Sequence, residues 1–122
     1  MADTRSKTYR IAVASTDGET VNQHYGRATK FYIYSMDDEE GYDLVEERNV
    51  EPVCMEGSHV VSKMEQSVLR FTDCRYIVVS RLGSAAGAAL SARGITAMEL
   101  PGSIDEAILS VWKYNRVQGL FS

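Results

Sequence analysis

Apolar and polar positions along the chain change period twice, and each change marks a change of element. Tyr9-Arg-Ile-Ala-Val-Ala-Ser15 is apolar with loose alternation and predicts a first strand, buried and central. Asp17-Gly18-Glu19 is a turn by its chemistry, because Asp tolerates the left-handed region and Gly adopts it freely. Lys30-Phe-Tyr-Ile-Tyr-Ser-Met36 is aromatic and β-branched and predicts a second strand. The acidic run from Asp37 to Glu40, closed by Gly41, reads as a solvated hairpin tip. Tyr42-Asp-Leu-Val-Glu-Glu-Arg48 predicts a third strand, less apolar, as suits a sheet edge. Together these segments read as an antiparallel meander.

An irregular loop from Asn49 to Ser58 separates this half from the next. Val60, Val61, Met64, Val68 and Phe71 then recur at offsets of three and four, which predicts an amphipathic helix with Ser58 as its N-cap. Asp73-Cys74-Arg75 ends it. Tyr76-Ile-Val-Val-Ser80 is a short continuous apolar run, the pattern of a parallel strand buried on both faces. A small-residue helix runs from Ser84 to Arg93 and is stopped by Gly94. Ile95-Thr-Ala-Met98 is a fifth strand, and Pro101-Gly102 turns the chain. Ser103-x-x-Glu106 is a capping box for a last helix with Ile104, Ala107, Ile108, Val111 and Trp112 on one face.

The order is therefore β-β-β-α-β-α-β-α. Its second half demands parallel strands joined by right-handed crossovers. The expected fold is α/β: a mixed five-stranded sheet in the order 3-2-1-4-5, strand 2 antiparallel, with helices on both faces. One domain is expected over residues 9–115, between a flexible N-terminal tail, 1–8, and a C-terminal tail, 116–122.

Composition narrows the function. The chain has 122 residues, 44% of them hydrophobic, enough for one core. It holds no run of about 18 apolar residues, so no membrane helix is expected. The N-terminus has no apolar signal region, which points to a cytoplasmic protein. A net charge of −4 argues against nucleic-acid binding, which needs a basic face, but leaves room for an anionic ligand met by local cations. Two cysteines, Cys54 and Cys74, are not expected to pair in a reducing compartment. Each is a small buried hydrophobe or a thiolate ligand.

Candidate chemistry centres on Val21-Asn22-Gln23-His24-Tyr25-Gly26, a loop between two predicted strands that holds one of the two histidines. Arg27 follows directly. In open α/β sheets ligands sit beyond the carboxyl ends of the parallel strands. Those ends are Ser15 and the turn Ser80-Arg81-Leu82-Gly83. A helix opening at Ser84 would present the amides of Gly83, Ser84 and Ala85 to an anion. Arg27 and Arg81 would add charge, and His24 would face the same space. Each residue also has a plainer reading: His24 as a capping or packing side chain, Arg81 in a surface salt bridge, Cys74 in the core. Cys54 and His59 place a thiol and an imidazole on one loop, a pairing that suits zinc, copper or iron–sulfur species but falls short of a structural zinc site. No nucleophile elbow, P-loop or dinucleotide fingerprint occurs, and the carboxylates form no recognisable nuclease set. Catalysis has no support in these residues.

The ordered series Ile11-Ala-Val-Ala-Ser15, Asp17-Gly18, Val21-Asn22-x-His24-Tyr25-Gly26-x-Ala28 and Phe31-x-Ile33-Tyr34 resembles the dinitrogenase iron–molybdenum cofactor family, of the NifX and NifB C-terminal domain type. Asp73-Cys74, Arg81-Leu82-Gly83 and Leu90-x-x-x-Gly94-Ile95 continue the resemblance to about Trp112. It implies a ribonuclease H-like fold without the nuclease carboxylates. It implies a non-enzymatic carrier of an anionic iron–sulfur or molybdenum-containing cluster in nitrogenase cofactor assembly and nitrogen fixation, or in a related metallocluster pathway. One relative of this type holds a molybdenum–copper sulfide cluster. His24 is then the expected ligand, with Cys54 or His59 as accessory, and Asn22, Tyr25, Gly26, Arg27, Arg81, Gly83 and Ser84 around the cofactor. Partners would be proteins that donate and accept the metallocluster, not nucleic acid or membrane, with the chain a monomer or weak homodimer. The alternative is an interaction or regulatory module that keeps the fold and binds no cluster.

Overall fold

Strand β1 (Tyr9–Ala14) lies in the middle of a five-stranded sheet. A computed structural model describes residues 8–37, 39, 41–52 and 60–120. On one side β1 pairs antiparallel with β3 (Lys30–Met36), from Tyr9 opposite Met36 to Ala14 opposite Phe31. On the other it pairs in parallel with β5 (Tyr76–Val79), Ala12 opposite Ile77. β4 (Tyr42–Asn49) and β6 (Thr96–Glu99) are the edges, giving the order β4-β3-β1-β5-β6. The hairpin half thus supplies one flank and the β-α-β half the other.

Side-chain alternation divides the core into two layers. Ala12, Ala14, Phe31, Ile33, Ile77 and Val79 point to the side covered by α1 (Val60–Val68) and α2 (Ser84–Ala92). Ile11, Val13, Tyr32, Tyr34 and Val78 point to α3 (Ile104–Leu120) and pack on Ile104, Ile108 and Val111. Both faces of β1 and β5 are covered, so their sequences are continuously apolar rather than alternating. Phe31 and Phe71 stack at 4.6 Å between ring centroids in the first layer. The helix expected to run to the Asp73 turn tightens into a 3-10 turn at Leu69–Phe71. Residues three apart eclipse in that geometry, so Val68 and Phe71 both face the core.

Two termini differ in how well they were foreseen. α2 ends as expected: Gly94 has φ 76°, its N–H reaches the Ser91 carbonyl, and Ile95 N–H reaches Leu90, both at 3.0 Å. The C-terminal tail expected from residue 116 is instead helical to Leu120. Asn115 accepts a 2.6 Å hydrogen bond from the Tyr76 hydroxyl of β5, which ties this turn to the sheet, and Arg116 stacks over the Trp112 ring within the helix at 5.1 Å. Ser103 Oγ accepts from Glu106 N–H at 3.3 Å, the N-cap half of the expected capping box.

Two features escaped the periodicity altogether. β2 (Thr20–Val21) and β7 (Gly102–Ser103) form a two-residue antiparallel ladder. Segments this short carry no period. The pairing closes the chain leading to His24 against the start of α3, where Ile104 N–H also bonds the Glu19 carbonyl at 2.9 Å. At the outer edge, β4 exposes Leu44 and Val45 but breaks register with β3 between Ile33 and Tyr34, and carries Glu46 and Glu47. A bulge and charges on an edge strand oppose pairing with another chain.

Candidate functional site

The turn after β1 is built by side chains that close on their own backbone. Asp17 accepts from the N–H groups of Glu19 and Thr20, both at 2.9 Å, and these bonds hold its carboxyl far below the usual carboxylate range. Gly18 has φ 76°, and a Cβ there would come within 3.1 Å of the Tyr32 ring, so both backbone and space favour glycine. Asn22 and Thr16 bond reciprocally: Thr16 N–H to Oδ1 at 3.0 Å, and Nδ2 to Thr16 Oγ1 at 2.9 Å. Asn22 therefore shapes the loop.

The chain then runs alongside the end of β5. Ser80 N–H donates to the Gln23 carbonyl at 2.9 Å, and Tyr25 N–H donates to the Arg81 carbonyl at 3.0 Å. His24 and Arg81 form a parallel bridge, which places them side by side, both exposed. A 3-10 turn, Tyr25–Arg27, follows and returns the chain to β3. Gly26 lies within that turn, a conformation open to any residue, so its backbone freedom is not what the turn requires.

Tyr25 needs a correction. Expected beside the ligand, it is 2% exposed and points inward, packing on Phe31. Its hydroxyl meets Ser67 Oγ of α1 at 2.6 Å, and burial raises its pKa. An aromatic next to a histidine in a loop can face either way, and the 3-10 turn decides it. The Tyr25 side chain thus supports the turn from the core side, while His24 is exposed.

Across from His24, α2 begins at Gly83, with φ −78° and ψ 160°. No side chain caps it, and nothing lies within 4 Å of where a Gly83 Cβ would stand. The backbone there does not need glycine, and the space in front of it is open. Ser84 and Ala85 are exposed in the first turn. The Leu82 N–H is taken by Glu99 Oε2 at 2.7 Å. Arg27 and Arg81 are exposed and form no ion pair with a described residue, unlike Arg10 and Arg48, which both bind Asp73. The His24 imidazole, the Arg81 guanidinium and the start of α2 thus share one rim, where the Glu99 carboxylate offsets one positive charge, and Arg27 ends the turn that leaves it.

Soft ligands are few. Cys54 and His59 lie outside the described residues. Cys74 is 4% exposed in the first core layer, and burial first, then Asp73, pushes its thiol up to about 12, so it is a core residue. Among the described residues, no three His, Cys, Asp or Glu side chains gather as a metal centre. Two supporting positions were missed in the sequence, Glu99 at this rim and Ser67 beneath the inward-turned Tyr25. Neither stands in a motif, and only the β5–β6 register and the packing of α1 bring them here.

The family model described as "Dinitrogenase iron-molybdenum cofactor" matches residues 7–114. The chain belongs to this family. Among relatives of the dinitrogenase iron-molybdenum cofactor family, it is 35% identical over 103 residues to the FeMo cofactor biosynthesis protein NifB of Chlorobaculum tepidum, covering 84% of this chain and 23% of that protein. With the NifB protein of Azotobacter vinelandii it shares 28% over 118 residues, covering 89% of this chain and 22% of that one. The chain thus spans less than a quarter of the length of these two relatives. A crystal structure titled as a putative dinitrogenase from Methanocaldococcus jannaschii superposes with a TM-score of 0.56 at 14% identity, over 87% of this chain and 89% of that one, a likeness of fold. The family's mixed α/β domain is therefore what carries the rim. No helix among the described residues is long and apolar enough to cross a membrane.

Proposed function

We propose that this domain binds an anionic iron–sulfur or molybdenum-containing cluster as cargo during nitrogenase-type cofactor assembly, without catalysing a reaction, on a ribonuclease H-like scaffold. The observation that carries the reading is the His24–Arg81 bridge beside the uncapped start of α2. His24 supplies an imidazole to a metal of the cluster. Arg27, Arg81 and the Gly83–Ser84 amides balance its charge. Cys54 and His59 serve as accessory ligands in this proposal. Membership of the family and similarity to FeMo cofactor biosynthesis proteins support it. Cluster donors and acceptors are then the partners, in the cytoplasm.

Magnitudes assign the main part to His24. A helix N-terminus or an exposed cation contributes about 0.3–1 kcal/mol to holding an anion. Three such contributions give a dissociation constant of millimolar order at best, since 1 mM corresponds to about 4.1 kcal/mol. Useful affinity therefore depends on the coordinate bond. Anaerobic reconstitution with iron, molybdate and sulfide, read by visible absorption and metal analysis, tests this. Wild type gains a charge-transfer band, and His24→Ala retains under about a tenth of it. Equal binding by both removes His24 from the role.

The scarcity of soft ligands among the described residues favours a second reading, a regulatory or interaction module that binds no cluster. Protein isolated from a cluster-producing host that stays colourless and metal-free, yet captures a cofactor-assembly protein, would establish that alternative.

A further inference from the structure

A single peptide plane holds the two halves of the rim together. Its carbonyl belongs to Arg81 and accepts the Tyr25 N–H at 3.0 Å; its N–H belongs to Leu82 and donates to Glu99 Oε2 at 2.7 Å. Because the peptide unit is planar, neither group can turn without the other. Tyr25, the residue after His24, is thereby hydrogen-bonded to the first half of this plane, and Glu99 grips the second.

We propose that Glu99 is the positioning residue of the His24–Arg81 pair, acting through the Arg81–Leu82 peptide. It sits at the end of β6 opposite Val79 in the parallel register, and Leu100 N–H bonds the Val79 carbonyl at 3.0 Å, so its own backbone is fixed to the sheet. From there its carboxylate reaches past the end of β5 to the residue before the N-cap of α2. Two effects favour this contact. The bond is charge-assisted, which makes it stronger than one between neutral groups. The carboxylate also lies at the positive end of α2. A bonded N–H polarises its own carbonyl and strengthens the acceptor that Tyr25 uses. Without Glu99, the 81–82 peptide loses its outer anchor, the Arg81 carbonyl can turn from Tyr25, and the His24 segment is held at the end of β5 only by the Ser80 N–H on the Gln23 carbonyl.

This role extends the cluster-binding reading but is measured separately from it. Backbone amide exchange of the full chain is compared for wild type, Glu99→Ala and Glu99→Gln, each normalised to the Val78 amide as a report of global opening. Glu99→Ala is expected to speed exchange about tenfold at both Leu82 and Tyr25, and Glu99→Gln, which keeps a side-chain oxygen, to restore most of the protection. Acceleration at Leu82 with Tyr25 unchanged overturns the proposal, as does equal behaviour of the Ala and Gln variants. Binding of tetrathiomolybdate, an anionic metal sulfide with visible absorption, is followed in parallel. Both substitutions remove the carboxylate charge that faces the anion, so affinity several-fold lower in Glu99→Ala than in Glu99→Gln supports the positioning role, and equal affinity in the two overturns it. If wild type binds none, the cluster reading fails, and the exchange rates alone decide on Glu99.

Discussion

Tyr25 donates its backbone N–H to the carbonyl of Arg81 while its own side chain turns away, into the core against Phe31. The two residues are joined by backbone, and the histidine between Gln23 and Tyr25 is left on the outside beside the arginine. Structural support and the proposed recognition role thus fall on neighbouring positions, and variants can separate them.

Tyr25→Phe removes one hydroxyl from a pair in which Ser67 keeps its bond to the Met64 carbonyl at 2.9 Å. The expected cost is about 1 kcal/mol, a fall of roughly 4 °C in Tm for a domain of this size. Cluster or thiomolybdate binding should change less than twofold. His24→Ala should show the reverse pattern, with Tm within about 1 °C and binding lost. Calorimetry beside anaerobic titration reads both.

Gly83→Ala places a methyl group where nothing lies within 4 Å. Alanine is the poorer N-cap by about 0.5–1 kcal/mol, and the less flexible unfolded chain offsets about as much. Stability should stay within about 0.5 kcal/mol. Anion affinity should drop, and drop further for Gly83→Val, because the side chain fills the approach to the α2 amides. Unchanged affinity in both variants would remove this helix start from the site.

Asp73 binds Arg48 at 2.5 Å and Arg10 at 2.9 Å, and the Arg48 guanidinium foremost holds its pKa at about 2, down from 3.8. A lowered carboxylate pKa stabilises the fold above the unfolded value and loses that contribution as pH falls towards the folded one. The window is therefore about pH 4 to pH 2. Since the Asp73 side chain is 41% exposed, solvent screening limits the gain to about 1 kcal/mol or less. Urea midpoints of wild type and Asp73→Asn should differ at pH 6 and converge by pH 2.

Cys74 should be inert in the folded protein. With the thiol pushed up to about 12 and only 4% exposed, a Cys54→Ser variant treated with iodoacetamide at pH 8 should stay unmodified until denaturant is added. Prompt native-state alkylation, located by mass spectrometry, would contradict the burial of Cys74.

Most of the secondary structure could be read from the chain, because burial on one face of a helix or both faces of a strand imposes a period that residues such as Ile11, Val13, Ile77 and Val79 display. The turn at Asp17-Gly18 and the stop at Gly94 were equally legible, since their conformations leave few residue choices. The sequence by itself determined which residues could meet an anion: an imidazole, two arginines and a glycine before a small-residue helix. What the tertiary structure alone decided is which of them meet. The bridge between His24 and Arg81, the inward turn of Tyr25, the β2–β7 ladder and the reach of Glu99 to Leu82 all join segments far apart in the chain through one or two hydrogen bonds each. Contacts so few leave no periodic trace. They exist because the sheet brings the ends of β1, β5 and β6 to one rim, where backbone groups beyond the last ladder pair must still find partners.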